Sequence, residues 1–92
     1  MWQRGTRVIV RCYGDTPAVM LVWDHDERSV FVADEARFEK LRAGEPDAYP
    51  AGFRTYDVFQ YDESIAAQMV GLVDSGGWDW SRLTPISEIP AK

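Results

Sequence analysis

Residues 8–34 read VIVRCYGDTPAVMLVWDHDERSVFVAD, and this stretch decides the fold. It contains three apolar runs, at 8–14, 18–24 and 29–34, whose connectors are too short to hold a helix. Strands joined by so few residues pair in antiparallel fashion, because a parallel pair needs a crossover connection of about a dozen residues or more. The stretch therefore predicts an antiparallel β-meander.

The side-chain pattern of the first two strands assigns their faces. In the first strand, at 6–13, successive side chains alternate between the two faces of the sheet. Cys12 lies on the more apolar face, and Arg7 and Arg11 lie on the opposite face. The second strand, at 18–23, is apolar on both faces, which is typical of a central strand covered on both sides.

Downstream of the meander, the sequence predicts a helix with a signal at each end. Asp34 has the side chain of an N-cap, and Gly44 is placed to end the helix as a left-handed residue. The helix itself, at 35–43, would bury Phe38 and Leu41 and leave its charged residues in solvent.

The remaining segments are interpreted from their composition. Residues 45–56 contain two prolines, a glycine and three aromatic residues, which predicts a loop that packs across the sheet. A short fourth strand follows at 58–61, and a second helix with a broad apolar stripe follows at 63–73. The alternation at 78–80 predicts an extended segment, and residues 85–92 are predicted to form a mobile tail.

Together these elements predict the order β-β-β-α-β-α-(β) and a small single α+β domain over residues 1–92, with its core at about 6–84. A twisted antiparallel sheet of three to five strands would carry one or two short helices packed on one face. A more strongly curled sheet would form a partial SH3-like barrel, an analogy of fold that implies no function. The chain resembles the short α+β proteins of bacteria and phages, and that resemblance also implies no function.

Composition limits the classes of function. The 92-residue chain has a formal net charge of −5, which argues against direct nucleic-acid binding, since phosphate contacts need clustered Lys and Arg. No apolar run reaches the ~20 residues of a membrane helix, and the first residues lack the apolar segment of a secretory signal. The single cysteine fits a reducing compartment. We therefore expect a soluble cytoplasmic protein that contacts neither nucleic acid nor membrane.

The densest set of potential metal ligands is the acidic turn Asp24-His25-Asp26-Glu27, which contains the only histidine. A zinc site needs about three or four protein ligands, and no second His or Cys is present for the usual sets. Calcium would need more oxygen ligands and a glycine at set spacing. We interpret this turn as a solvated hairpin tip and expect neither a metal nor another cofactor.

Cys12 could act as a nucleophile if a neighbouring group ionised its thiol. Its apolar face favours a small core residue instead. A thiol–histidine pair would need His25, but a turn at 14–17 places residue 25 opposite about residue 6, several residues from Cys12. We expect no catalytic residues, and a small enzyme that uses Cys12 or His25 is the third alternative for the function.

Two groups of side chains are candidate binding residues, and the first is basic. Arg7 and Arg11 form a strip about 13 Å long on one face of the first strand, which could meet a carboxylate- or phosphate-bearing partner. Their alternative role is ion pairing with acidic residues of the neighbouring strand, such as Asp24 or Glu27.

The second group consists of five aromatic residues in the irregular segments, Tyr49, Phe53, Tyr56, Trp78 and Trp80. If the 45–56 segment and the Trp-Asp-Trp segment converge, these rings would line a groove for a peptide or an apolar ligand. The alternative is that the rings close the core of a small domain.

We interpret the chain as a non-catalytic protein-binding or accessory module, because it combines aromatic residues in irregular segments with no recognisable catalytic constellation. Its sheet edge or its aromatic groove would contact another protein, or a second copy of the chain in a homodimer. The second alternative is an acidic inhibitor or nucleic-acid mimic that occupies a basic cleft of a partner, although the acidic residues are spread among caps and turns.

Overall fold

The computed structural model of the protein describes residues 3–12, 16–72 and 80–86. Within these residues, five strands and two α-helices follow one another in the order β-β-β-α-β-β-α. Their bounds are β1 Arg7–Cys12, β2 Thr16–His25, β3 Ser29–Ala33, α1 Glu35–Arg42, β4 Ala51–Arg54, β5 Val58–Gln60 and α2 Glu63–Leu72. Short 3₁₀ turns lie at Thr55–Asp57 and Trp80–Arg82.

All five strands form one antiparallel sheet in the order β4-β3-β2-β1-β5. The sheet curls into a half-barrel, and two short helices accompany it. The predicted α+β class and the antiparallel meander of β1, β2 and β3 are confirmed, and β2 is the middle strand as predicted. Trp23 is an extra residue in β2 relative to β3, and such a bulge increases the local twist of the sheet.

The connection between β1 and β2 is shorter than predicted, because Pro17 is tolerated inside the paired part of β2. Pairing continues through Thr16, so the connection is not the predicted 14–17 segment. Val22 directs its backbone N–H toward β1, to the Thr6 carbonyl at 2.9 Å, and backbone groups alternate in direction along an antiparallel strand. The nitrogen of Pro17 consequently points away from β1, where its missing N–H removes no hydrogen bond of this ladder.

Alternation along the strands separates two apolar clusters on opposite faces of the sheet. The valine cluster is buried and contains Val8, Val10, Val22, Val30, Val32, Val58 and Ile86. The second cluster contains Ile9, Phe59 and Leu83, with Ile65 of α2 and Trp80 packed against it. Each fully buried valine contributes about 1.5 kcal/mol or more, so the valine cluster is a large apolar contribution to stability.

The coverage of β2 is uneven, which differs from the prediction of a strand covered on both faces. Val22 is fully buried, whereas Val19 on the opposite face is 43% exposed. α1 packs against β2 and β3, and its Phe38 ring meets the Trp23 ring edge-on at 5.7 Å between centroids. β3 pairs with β2 only from Leu21 onward, so Val19 lies where β1 is the single neighbouring strand among the described residues.

Both ends of α1 have the caps that the sequence predicts. The Asp34 side chain accepts a hydrogen bond from the Arg37 backbone N–H at 2.7 Å. At the other end, Gly44 has a φ of +75° and donates its N–H to the Leu41 carbonyl. The following N–H donates to the Lys40 carbonyl, which completes a Schellman motif and favours glycine at the left-handed position.

A strand lies within the 45–56 segment, where the sequence predicts only a loop. β4 pairs with β3 at the end of the sheet. Gly52 lies under the Phe31 ring, whose nearest carbon is 3.2 Å from the position that a Cβ atom on Gly52 would occupy. Propensity in strands depends strongly on context, and pairing with β3 satisfies backbone groups that a loop would leave to water. The proline- and glycine-rich composition is therefore overridden by the neighbouring strand.

The C-terminal part of the fold also differs from the prediction. Trp80 begins a 3₁₀ turn instead of ending an extended segment, while residues 78–79 lie outside the described residues. Pro85 forms an isolated bridge with Phe59, and Ile86 is buried in the valine cluster at 1% exposure. The core thus extends at least two residues beyond its predicted end, because an apolar side chain after a proline can still dock on the sheet.

Replacing Gly44 with alanine should lower the free energy of unfolding by about 1 kcal/mol, because a side chain disfavours a left-handed backbone. No atom lies within 4 Å of the Cβ position, so the effect comes from the backbone alone. Gly44→Asn is the matched control and should lose less, since asparagine tolerates this conformation better. Urea unfolding followed by circular dichroism measures both variants. Equal losses for the two variants would contradict this account of the helix end.

Candidate functional site

The structure places the aromatic candidates in different environments. Phe53 packs against the valine cluster, whereas Trp80 packs against the second cluster on the other face of the sheet. Tyr49 and Tyr56 are 70% and 63% exposed, respectively. Trp78 lies outside the described residues. Phe53 and Trp80 are therefore not brought together, and among the described members of the set the two tyrosines are the most accessible to a partner.

Arg11 of the predicted basic strip is held by an ion pair. Its Nε donates to the Asp57 carboxylate at 2.9 Å, and both side chains are largely shielded from solvent. The Arg11 guanidinium also lies 5.2 Å from the centroid of the Trp80 ring. The acidic partner comes from the turn before β5 rather than from the acidic turn after β2, because β5 is the other neighbour of β1. Arg7 remains exposed, with its guanidinium 5.9 Å from the Tyr61 ring.

Several acidic side chains accept hydrogen bonds from groups close to them in the sequence. Asp26 accepts hydrogen bonds from the N–H groups of Arg28 and Ser29, both at 2.8 Å, and these bonds lower the pKa of its carboxyl group. The Ser64 hydroxyl, followed by backbone N–H groups at the start of α2, lowers the pKa of Asp62 in the same way. Across 3–12, 16–72 and 80–86, no cluster of three or more His, Cys, Asp or Glu side chains could hold a metal. These carboxylates therefore cap turns and helices.

Cys12 and His25 are far apart along the sheet. Cys12 pairs with Thr16 at the start of β2, whereas His25 is the last residue of that strand. The predicted separation of the two is correct, although the predicted register is wrong, since Thr6 lies beside Val22 and not beside residue 25. Burial raises the pKa of the Cys12 thiol, which disfavours the nucleophilic thiolate.

β4 has an open backbone edge in the part of the chain that the structure describes. Thr55 donates its N–H to the Arg28 carbonyl at 3.2 Å, which makes these two residues a hydrogen-bonded pair. Such pairs alternate along an antiparallel ladder, so Phe53 directs its backbone groups toward β3. Gly52 and Arg54 direct theirs away from β3, where their N–H and C=O groups can pair with a further strand.

The exposed tyrosines flank this open strand, since Tyr49 precedes β4 and Tyr56 follows it. We call the surface formed by Tyr49, Ala51–Arg54 and Tyr56 the β4 edge. Sequence reasoning identified the tyrosines but missed Gly52 and Arg54, because it predicted a loop here. The available signal was the short run AGFR between two aromatic residues, whose length fits an edge strand.

The other end of the sheet is covered by the chain itself. Gln60 of β5 donates its backbone N–H to the Thr84 carbonyl at 2.8 Å, and Pro85 bridges to Phe59. The segment around residue 84 thus occupies part of the outer side of β5. The two ends of the sheet consequently differ in their capacity to pair with another strand.

Comparisons of this chain with protein-family models, with curated proteins and with solved structures found no match. Its function therefore has to be argued from the chemistry of its own surfaces. Within the described residues, no helix is both long enough and apolar enough to cross a membrane.

Trp80→Ala should lower the free energy of unfolding by about 2–3 kcal/mol, because the indole packs on Phe59 with ring centroids 5.0 Å apart. Trp80→Phe should lose much less, since Trp80 Nε1 is buried without a hydrogen-bond partner among the described residues. Tyr49→Ala should change stability by less than about 0.5 kcal/mol, as expected for an exposed side chain. Chemical unfolding distinguishes the three. A loss for Tyr49→Ala as large as that for Trp80→Ala would mean that this tyrosine also closes the core.

The Cys12 thiol should react with a disulfide reagent much more slowly in the native protein than in urea, because burial shields it and raises its pKa. The folded protein favours the neutral form of the Cys12 thiol. The stability gained by burying this neutral thiol is complete below the thiol's pKa in the unfolded chain, about 8.5, and is lost as the pH rises through its higher pKa in the folded protein. Labelling rates and urea unfolding across this range measure both effects, with Cys12→Ala as the control for the pH dependence. Labelling at neutral pH that is as fast as in urea would contradict the prediction.

Proposed function

We propose that this chain is a non-catalytic protein-binding module that pairs an extended segment of its partner with the β4 edge. The observation that carries the proposal is an end strand with outward backbone groups at Gly52 and Arg54 and an exposed tyrosine on each side. In strand addition, main-chain hydrogen bonds supply affinity and the neighbouring side chains supply specificity. The β4 edge combines both kinds of group.

The local chemistry of the β4 edge supports this mode of binding. Gly52 has no side chain, which lets another backbone approach closely. Tyrosines supply a large contact area at low entropic cost, so Tyr49 and Tyr56 are suitable anchors. Arg28 and Arg54 line an adjoining cleft of about 410 Å³ together with Asp26 and Glu27, which places charges of both signs beside the strand. This surface fits an extended segment that has polar side chains for the charged residues and side chains that can pack on the two tyrosines.

Two features restrict unspecific pairing at the same place. β4 has four residues, and Pro50 immediately precedes it. Short edge strands and neighbouring prolines are common protection against edge-to-edge aggregation. A partner therefore needs contacts with the tyrosines in addition to backbone hydrogen bonds, and a second copy of the chain can meet this requirement as well as another protein.

The positions of the carboxylates favour a binding module over an acidic inhibitor or nucleic-acid mimic. Asp26, Asp34 and Asp62 accept backbone hydrogen bonds at turns and helix starts, and Asp57 is paired with Arg11. A mimic needs its carboxylates directed toward a partner. The proposal also places the protein in the cytoplasm, where its single cysteine would stay a free thiol.

Arg54→Pro tests the proposal because it removes one outward N–H with little cost to the fold. Arg54 already has a φ of −66°, close to the value that proline imposes. Peptides selected from a random display library on the wild-type protein should bind Arg54→Pro about tenfold more weakly, as expected for a lost main-chain hydrogen bond and a blocked approach. Fluorescence anisotropy measures the affinities, and sedimentation velocity tests self-association through the same edge.

Arg54→Ala is the matched control, because it removes the charged side chain and keeps the N–H. It should weaken binding of the selected peptides, or of a second copy, clearly less than Arg54→Pro does. Amide hydrogen exchange in the free protein provides an independent check, since Phe53 should be protected while Gly52 and Arg54 exchange rapidly. Equal affinity for Arg54→Pro and the wild type, or neither a selected peptide nor self-association, would rule the β4 edge out as the contact.

A further inference from the structure

A cleft of about 500 Å³ lies between the residues that precede β1, the bulge of β2 and α1. It is lined by Arg4, Gly5, Trp23, Phe38 and Arg42. We propose that this Arg4–Trp23 cleft binds a small organic oxyanion, a carboxylate or phosphate group attached to a planar ring. The inference is independent of the proposed binding at β4.

Arg4 is held in place before any ligand arrives. Its Nε donates to the Trp23 carbonyl at 2.7 Å, and its guanidinium carbon lies 3.9 Å from the centroid of the Trp23 ring. The bulge at Trp23 places that residue outside the regular ladder of β2 and β3. Among the described residues, the two Nη groups of Arg4 have no hydrogen-bond partner, and together they match the two oxygens of a carboxylate or phosphate.

The backbone beside Arg4 is also fixed. Gly5 has a φ of +93° and donates its N–H to the Val22 carbonyl at 2.7 Å. A Cβ atom at Gly5 would lie 3.7 Å from the Phe38 ring, so the chain passes close to α1 at this point. The turn that carries Arg4 is thus anchored on β2 and lies beside α1, which reduces the entropy lost when Arg4 binds a ligand.

A second cation and two rings define the rest of the cleft. Arg42 pairs with Glu39 at 3.2 Å, but both side chains are more than 60% exposed, and such pairs are weak. A ligand oxyanion can therefore share or replace Glu39 as the partner of Arg42. Trp23 and Phe38 meet edge-on, and Phe38 is only 7% exposed, so the half-buried Trp23 ring supplies most of the apolar surface for a planar ring attached to the oxyanion.

The net negative charge of the protein limits which anions the cleft can bind. With a formal net charge of −5, the protein repels anions at long range, so binding depends on direct contacts with Arg4 and Arg42. A bare inorganic ion gains only the guanidinium contacts. A ligand that also carries a ring gains contact with the aromatic side chain of the cleft, so an oxyanion attached to a planar ring should bind more tightly than the bare ion.

Titrations with benzoate, phenyl phosphate, inorganic phosphate and the neutral analogue benzamide test the proposal at constant ionic strength. Chemical shifts of the Gly5 amide and the Trp23 indole N–H report on binding at the cleft. Benzoate or phenyl phosphate should shift both signals saturably, and the comparison of the two distinguishes a carboxylate site from a phosphate site. Arg4→Gln should weaken this binding about tenfold, because it removes a charged, two-point contact.

Lys40→Gln makes the same change of charge at an exposed position of α1 that does not line the cleft, and it should bind like the wild type. Arg42→Gln, at an exposed position of α1, should weaken binding severalfold without unfolding the protein, which keeps the test decisive if Arg4→Gln is unstable. Three results would overturn the proposal: no saturable shift with either aromatic anion, binding of benzamide as tight as that of benzoate, or binding of inorganic phosphate as tight as that of phenyl phosphate.

Discussion

The direction of the backbone groups along β2 is the constraint on which the rest of the structure depends. Once Val22 directs its N–H toward β1, every second residue back to Thr16 does the same, and Pro17, Val19 and Leu21 direct their backbone groups away from β1. The same alternation passes through β3 to β4 and through β1 to β5. It determines where Pro17 is tolerated and which residues of β4 keep outward backbone groups.

Much of the fold follows from local patterns in the sequence. The meander, the faces of β1, the central place of β2 and both caps of α1 were predictable, because each depends on alternation or on a single capping residue. β4 was not, since its AGFR run has little strand propensity and is a strand because β3 lies beside it. Ile86 was also missed, because an apolar residue near a chain end gives no sign of where it docks.

The candidate site was less predictable than the fold. Composition identified Tyr49 and Tyr56, but solvent exposure depends on tertiary packing, and the same pattern included Phe53, which packs on the valine cluster. The Arg4–Trp23 cleft depends on a β-bulge and on a left-handed glycine that bring residues from the start of the chain, β2 and α1 together. Neither the bulge nor the left-handed glycine produces a repeating pattern of apolar and polar residues, so neither could be predicted from the sequence.

The hydrogen bond from Gln60 to Thr84 makes the β5 end of the sheet less available to another strand than the β4 end. One end is partly occupied by the chain's own segment, Pro17 withholds a donor from the part of β2 that β3 does not reach, and β4 lies at the other end. An open filament requires every copy to offer two pairing edges, one for the copy before it and one for the copy after it. Among the described residues β4 offers the more open edge, so pairing through β4 favours pairs of chains over fibres.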